Sequence, residues 1–112
     1  MSNAQEIINK MHTGDINAIL DGICSDSPIL ILNAILSGTR MGLHNDVFVH
    51  GVKQATKNDT ALLHLSISQC AHASLDILGI RKYMGEDSYI LELISTGFHV
   101  LHGEQKPKEE KP

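Results

Sequence analysis

The sequence predicts an all-α fold, either a short stack of antiparallel helix hairpins or a compact helical bundle. Three observations carry that expectation. Aliphatic residues recur at helical spacing, as in the stripe Ile29, Leu32, Ile35 and Leu36. Residues that cap helix starts stand before these stretches, and glycines that end helices stand after them. The hydrophobic fraction, 42 % of 112 residues, rests on thirteen Ile and thirteen Leu, while aromatics amount to only 4 %. Such a core is built from interlocking branched side chains and not from rings.

The elements follow in order. Ile7, Ile8 and Met11 open a short amphipathic helix that stops near Gly14. Asp15 suits the N-cap of the next helix, which carries Ile16, Ala18, Ile19, Leu20 and Ile23. Ser27 is placed to cap a third helix. Pro28 fits its first turn, where a missing N–H costs nothing. This helix is expected to run to about Met41 and stop at Gly42. Asn45 and Asp46 cap a segment over 47–56, and Asn58, Asp59 and Thr60 are read as the cap of the longest helix, over 61–80. Gly85 breaks the chain again, and Asp87 or Ser88 starts a last helix from Tyr89 to about Thr96. The stretches 28–32 and 46–50 are rich enough in aliphatic and β-branched residues for strands. Each follows a strong cap and continues into a helical stripe, so both read as helix. The organisation is then a single helical domain over 1–102 and a charged tail over 103–112. The tail, GEQKPKEEKP, has no apolar side chain beyond its prolines, and that composition predicts disorder.

A repeat is visible in the helix openings. Asp26-Ser27-Pro28-Ile29-Leu30 aligns with Asp59-Thr60-Ala61-Leu62-Leu63, and Met41-Gly42 aligns with Met84-Gly85. Gly14-Asp15-Ile16 is a weaker third copy. The units fall near 3–24, 26–57 and 59–97. Over residues 14–97 this pattern resembles the HEAT-like family of α-helical repeats. The Asp-Ser-Pro or Asp-Thr-Ala opening carries the resemblance, with the aliphatic spacing and the small residues Ala34, Ala71 and Ala73. The resemblance implies an α-solenoid fragment that binds another macromolecule on a concave face lined by the second helix of each hairpin. The polar residues then expected to bind a protein partner are Asn17, Asp21, His50, Lys53, Gln54 and Glu92.

Several function classes are disfavoured by composition. A net charge of -4 and the shortage of rings argue against nucleic-acid binding. Arg40, Lys53, Lys57, Arg81 and Lys82 are dispersed. No apolar run approaches a membrane span, and the first ten residues lack a basic flank followed by an apolar run. A cytoplasmic protein with no membrane partner is therefore expected. Cys24 and Cys70 have no ligand-like spacing and read as reduced, packing thiols. The chain has no GxSxG, HExxH or glycine-rich phosphate loop, so neither catalysis nor a cofactor is expected.

Histidine is the one abundant reactive side chain, with seven copies. His64, Ser68, His72 and Asp76 recur every four residues as a polar stripe, and His72 with Asp76 has metal-chelating spacing. No third ligand is evident in sequence, and the stripe reads first as the edge of a packed helix. His99 and His102 have the same kind of spacing at the end of the domain. The leading expectation is a non-catalytic protein–protein interaction module, with self-association into a homo-oligomer through an apolar end of the stack. Two alternatives remain: an immunity or anti-defence type of inhibitor or regulator with one tight protein partner, and a histidine-based metal-binding protein.

Overall fold

Six helices and one very short strand pair follow one another along residues 4–62 and 65–98, the part of the chain described by the computed structural model. They are α1 (Ala4–His12), α2 (Ile16–Ile23), α3 (Pro28–Arg40), α4 (Asp46–Ala55), β1 (Ala61–Leu62), β2 (Leu65–Ser66), α5 (Ile67–Ile77) and α6 (Ser88–Thr96). The all-α class expected from sequence is the class observed. Leu63, His64, the pair His99 and His102, and the tail over 103–112 lie outside the described residues.

Local side-chain chemistry sets most helix starts. Asp15 Oδ1 accepts from the Ala18 N–H at 3.1 Å, and Ser27 caps α3 with Pro28 in its first turn. Asn45 Oδ1 accepts from the N–H groups of Val47 and Phe48 at 2.8 and 3.2 Å. Asp87 Oδ1 does the same for Tyr89 and Ile90 at 2.9 and 3.3 Å. Each bond satisfies a first-turn N–H that has no partner inside its helix.

The fifth helix departs from expectation, beginning at Ile67 rather than Ala61 and ending at Ile77. Ala61 pairs with Ser66 and Leu62 with Leu65 in an antiparallel ladder instead. Two competing sets of hydrogen bonds explain the shift. Ser66 and Gln69 form a capping box, with Ser66 Oγ accepting from the Gln69 N–H at 3.1 Å and Gln69 Oε1 accepting from the Ser66 N–H at 2.9 Å. The residues expected to cap at 58–60 are engaged otherwise. Asn58 Oδ1 accepts from the Thr60 N–H, while the carbonyls of Thr60 and Asn58 accept from the N–H groups of Ile67 and Ser68. The segment thus lends its backbone to the first turn of α5. Asp59-Thr60-Ala61 does not open a helix, although Asp26-Ser27-Pro28 does.

Several helices end alike, α6 at Gly97 among them. After α3, the N–H groups of Gly42 and Leu43 reach back to the carbonyls of Thr39 and Gly38. After α5, Gly79 and Ile80 reach back to Asp76 and Leu75 in the same way, and Gly14 and Asp15 repeat the pattern after α1. This is the Schellman ending, and it needs the left-handed glycine that each position supplies: Gly42 at φ +70°, Gly79 at +76° and Gly14 at +90°. Gly42 is therefore matched by Gly79 and not by Gly85, whose neighbourhood is instead filled by the Tyr83 ring.

α3 is the central element, packing against α1, α2 and α5, with α2 beside α4, α4 beside α5, and α6 against α5. α1, α3 and α5 thus form one row, and α2 and α4 lie together in another. The buried centre includes Met11, Ile19, Ile35, Phe48, Val52, Ile67, Leu75, Leu93 and Phe98. Close approach uses glycines: Gly22 faces Met11, Gly38 faces the Phe48 ring and Gly51 faces Ile23. No helix among the described residues is long and apolar enough to cross a membrane.

Gln69 joins two helix starts. Besides the capping box, its Nε2 donates to Asp87 Oδ2 at 3.2 Å. That bond, followed by those from the Ile90 and Tyr89 N–H groups, holds the Asp87 carboxyl below its ordinary value of 3.8. A lowered carboxyl adds stability above that value, which is lost as pH falls through the folded-state value. Gln69→Ala is expected to return Asp87 toward 3.8, read by NMR titration of its carboxyl carbon. Ser66→Ala is expected to leave Asp87 nearly unmoved while costing about 0.5–2 kcal/mol as a lost cap.

Candidate functional site

Two clefts flank α2. The first, about 260 Å³, lies between α1 and α2 and is lined by Glu6, Lys10, Asp15, Asn17, Ala18 and Asp21 with Ile7 behind them. The second, about 290 Å³, lies where the end of α2 meets α3 and α4. Its walls are Ile23, Ile31 and Ala55, its polar groups Ser25, Asp26, Gln54 and Asn58, and Gly51 also lines it. A Cβ at Gly51 would lie 2.5 Å from Ile23 Cγ1, so the bare backbone there lets α2 settle onto α4 and shapes this cleft.

The residues expected to bind a partner distribute unevenly. Asn17 and Asp21 share the first cleft, and Gln54 lines the second. His50 and Lys53 are exposed on α4 but line neither cleft, and Glu92 is exposed on α6, which packs against α5. Sequence reasoning missed Glu6, Lys10, Asp15, Asp26 and Asn58. Asp15 was legible as a cap and does accept from the Ala18 N–H, whereas Asn58, read as part of a helix cap, instead accepts from the Thr60 N–H in the turn after α4. A cap sits at a helix end, where clefts between stacked helices open, so one side chain serves both places.

The chemistry available at these clefts is recognition by carboxylates, amides and aliphatic walls. Cys70 is buried in the core, and burial pushes its thiol up to about 12, leaving it protonated and a poor nucleophile. Cys24 is exposed, and both cysteines are free. The histidine stripe is taken up by packing. The His72 ring lies 5.8 Å from the Tyr83 ring at 54°, and Asp76 Oδ2 accepts from the Tyr83 N–H at 2.8 Å. Ser68 Oγ donates to the Thr56 carbonyl at 2.8 Å. The residues of this stripe that are described thus fasten neighbouring segments onto α5. No group of three or more metal-ligating side chains comes together among the described residues.

No family model, curated protein or solved structure matches the chain. The functional reading therefore rests on the surface itself.

Proposed function

We propose that this protein is a non-catalytic helical interaction module that holds another protein across α2 and α4. The supporting observation is the pair of clefts on either side of α2, which take in Asn17, Asp21 and Gln54, residues that the HEAT-like resemblance assigns to the binding face. In this reading His50 and Lys53, both exposed on α4, extend the contact along that helix, while Glu92 on α6 lies outside it. In this role the mixed lining suits recognition: aliphatic walls exclude water, while carboxylates and amides fix the register of what enters.

The test fills the clefts. Tagged wild-type protein and the double variant Asn17→Arg/Gln54→Arg are used side by side for affinity capture, followed by titration of the captured protein. Both positions are exposed, so circular dichroism and the melting temperature are expected to stay near wild type. The dissociation constant for the captured partner is expected to rise at least about tenfold, equivalent to 1.4 kcal/mol. Equal affinity of the two proteins for every captured partner would overturn the reading.

A further inference from the structure

His44 lies in the connection between α3 and α4 and is exposed to solvent. Its Nδ1 stands 2.9 Å from the Gly42 carbonyl oxygen, and its Nε2 stands 2.9 Å from the Leu78 carbonyl oxygen. Those carbonyls belong to the two matching helix ends. Gly42 is the left-handed residue after α3, and Leu78 is the C-cap of α5. Schellman bonds occupy the carbonyls one turn earlier, so the imidazole reaches acceptors that those motifs leave over.

A carbonyl oxygen only accepts. A neutral imidazole has one N–H and one lone pair, so it satisfies one of these carbonyls and turns a lone pair toward the other. Imidazolium donates to both. It also places a positive charge at the negative ends of two helices, where a cation is favoured. The geometry therefore selects the protonated ring.

We infer that His44 is a proton-operated latch that ties the α3–α4 connection to the C-terminal end of α5 when protonated and loosens that tie when neutral. The latch joins the α3–α4 connection to the end of α5, so its state adds to or subtracts from the packing of α3 and α4 on α5. The charged and titratable groups on the elements it joins are Arg40 at the end of α3, Asp46, His50 and Lys53 on α4, His72 and Asp76 on α5, and Arg81 and Lys82 just beyond it. Asp76 is turned toward the Tyr83 N–H. The His44 ring is held above its ordinary value of 6.5 by the Leu78 carbonyl and then the Gly42 carbonyl, with slight desolvation opposing, and no charged side chain figures among the causes. The sign follows: a raised histidine gives stability that is fully present below 6.5 and is lost as pH rises through the folded-state value.

Two measurements on the full chain test this. The ring resonances of His44, assigned by their loss in His44→Ala, are expected to titrate above 6.5. The urea midpoint of wild type minus that of His44→Ala is expected to be positive at pH 5.5 and to shrink toward zero by pH 8.5. Both proteins share the other six histidines, so the difference isolates His44. Protection factors of the Gly79, Ile80 and Arg81 amides, which close the end of α5, are expected to fall across the same pH interval in wild type only. A ring that titrates at or below 6.5, or a midpoint difference that stays level or grows with pH, overturns the latch.

Discussion

Phe48→Ala is expected to destabilise the protein by about 3–5 kcal/mol, measured by urea denaturation. The ring is fully buried, one of two phenylalanines in a core otherwise made of aliphatics and small residues. It reaches across from α4 to α3, where Gly38 has no side chain to hold it off. A Cβ at Gly38 would stand 2.4 Å from two ring carbons, and the ring is stiff and enclosed, so it has nowhere to move. Removing the ring leaves a cavity between those helices, and adding a methyl at Gly38 pushes them apart. Gly38→Ala is accordingly expected to cost at least about 1–3 kcal/mol, and Phe48→Leu in the same chain to recover part of that loss.

The other close glycines give a graded comparison on the same physical footing. At Gly51 the added Cβ would meet Ile23 Cγ1 at 2.5 Å, near the stem of a branched side chain. At Gly22 its nearest neighbour at 2.2 Å is Met11 Cε, the free end of a flexible chain, with the Leu30 carbonyl oxygen and Ala34 Cβ behind it at 3.2 and 3.3 Å. The expected order of destabilisation by alanine is Gly38, then Gly51, then Gly22. Gly42 and Gly79 belong to a different class, because nothing lies within 4 Å and only the left-handed backbone resists a side chain. If Gly22→Ala proved as costly as Gly38→Ala, rigidity of the neighbour would not be the deciding factor.

What was legible in the sequence follows from the range of the forces involved. Asp15, Ser27, Asn45 and Asp87 were readable as caps because a cap bond closes over two or three residues. The start of α5 was misread although its capping box is equally local. Ser66 with Gln69 competed against Asn58, Asp59 and Thr60, and the bonds that decide the contest run from Ile67, Ser68 and its hydroxyl back to Thr60, Asn58 and Thr56. Those partners are seven to twelve residues apart and meet only once the turn after α4 has formed. The lining of the two clefts was legible only in part. The HEAT-like resemblance pointed to Asn17, Asp21 and Gln54, whereas Asp26 and Asn58 reach the second cleft through the relative placement of α2, α3 and α4, which no spacing rule encodes.

The pairing of Thr39 with Ser74 is the clearest case of a contact that periodicity does not reveal. Their hydroxyl oxygens are 2.6 Å apart between α3 and α5, both residues are buried, and Ser74 is 0 % exposed. A lone hydroxyl at that depth loses its hydrogen bond to water and gains none in return, so Thr39→Val is expected to cost about 1–3 kcal/mol. Valine has nearly the shape of threonine, and the loss therefore reports the stranded Ser74 hydroxyl more than a change in packing. Removing both polar groups removes that penalty. Thr39→Val/Ser74→Ala is expected to be less destabilised than the sum of the two single variants, with a coupling of about 0.5–3 kcal/mol. Strict additivity in the cycle would mean that each hydroxyl finds another partner and that the α3–α5 contact is held by its aliphatic neighbours alone. A measured coupling would instead make this pair a buried polar tie between α3 and α5, in the same seam that His44 bridges at the surface.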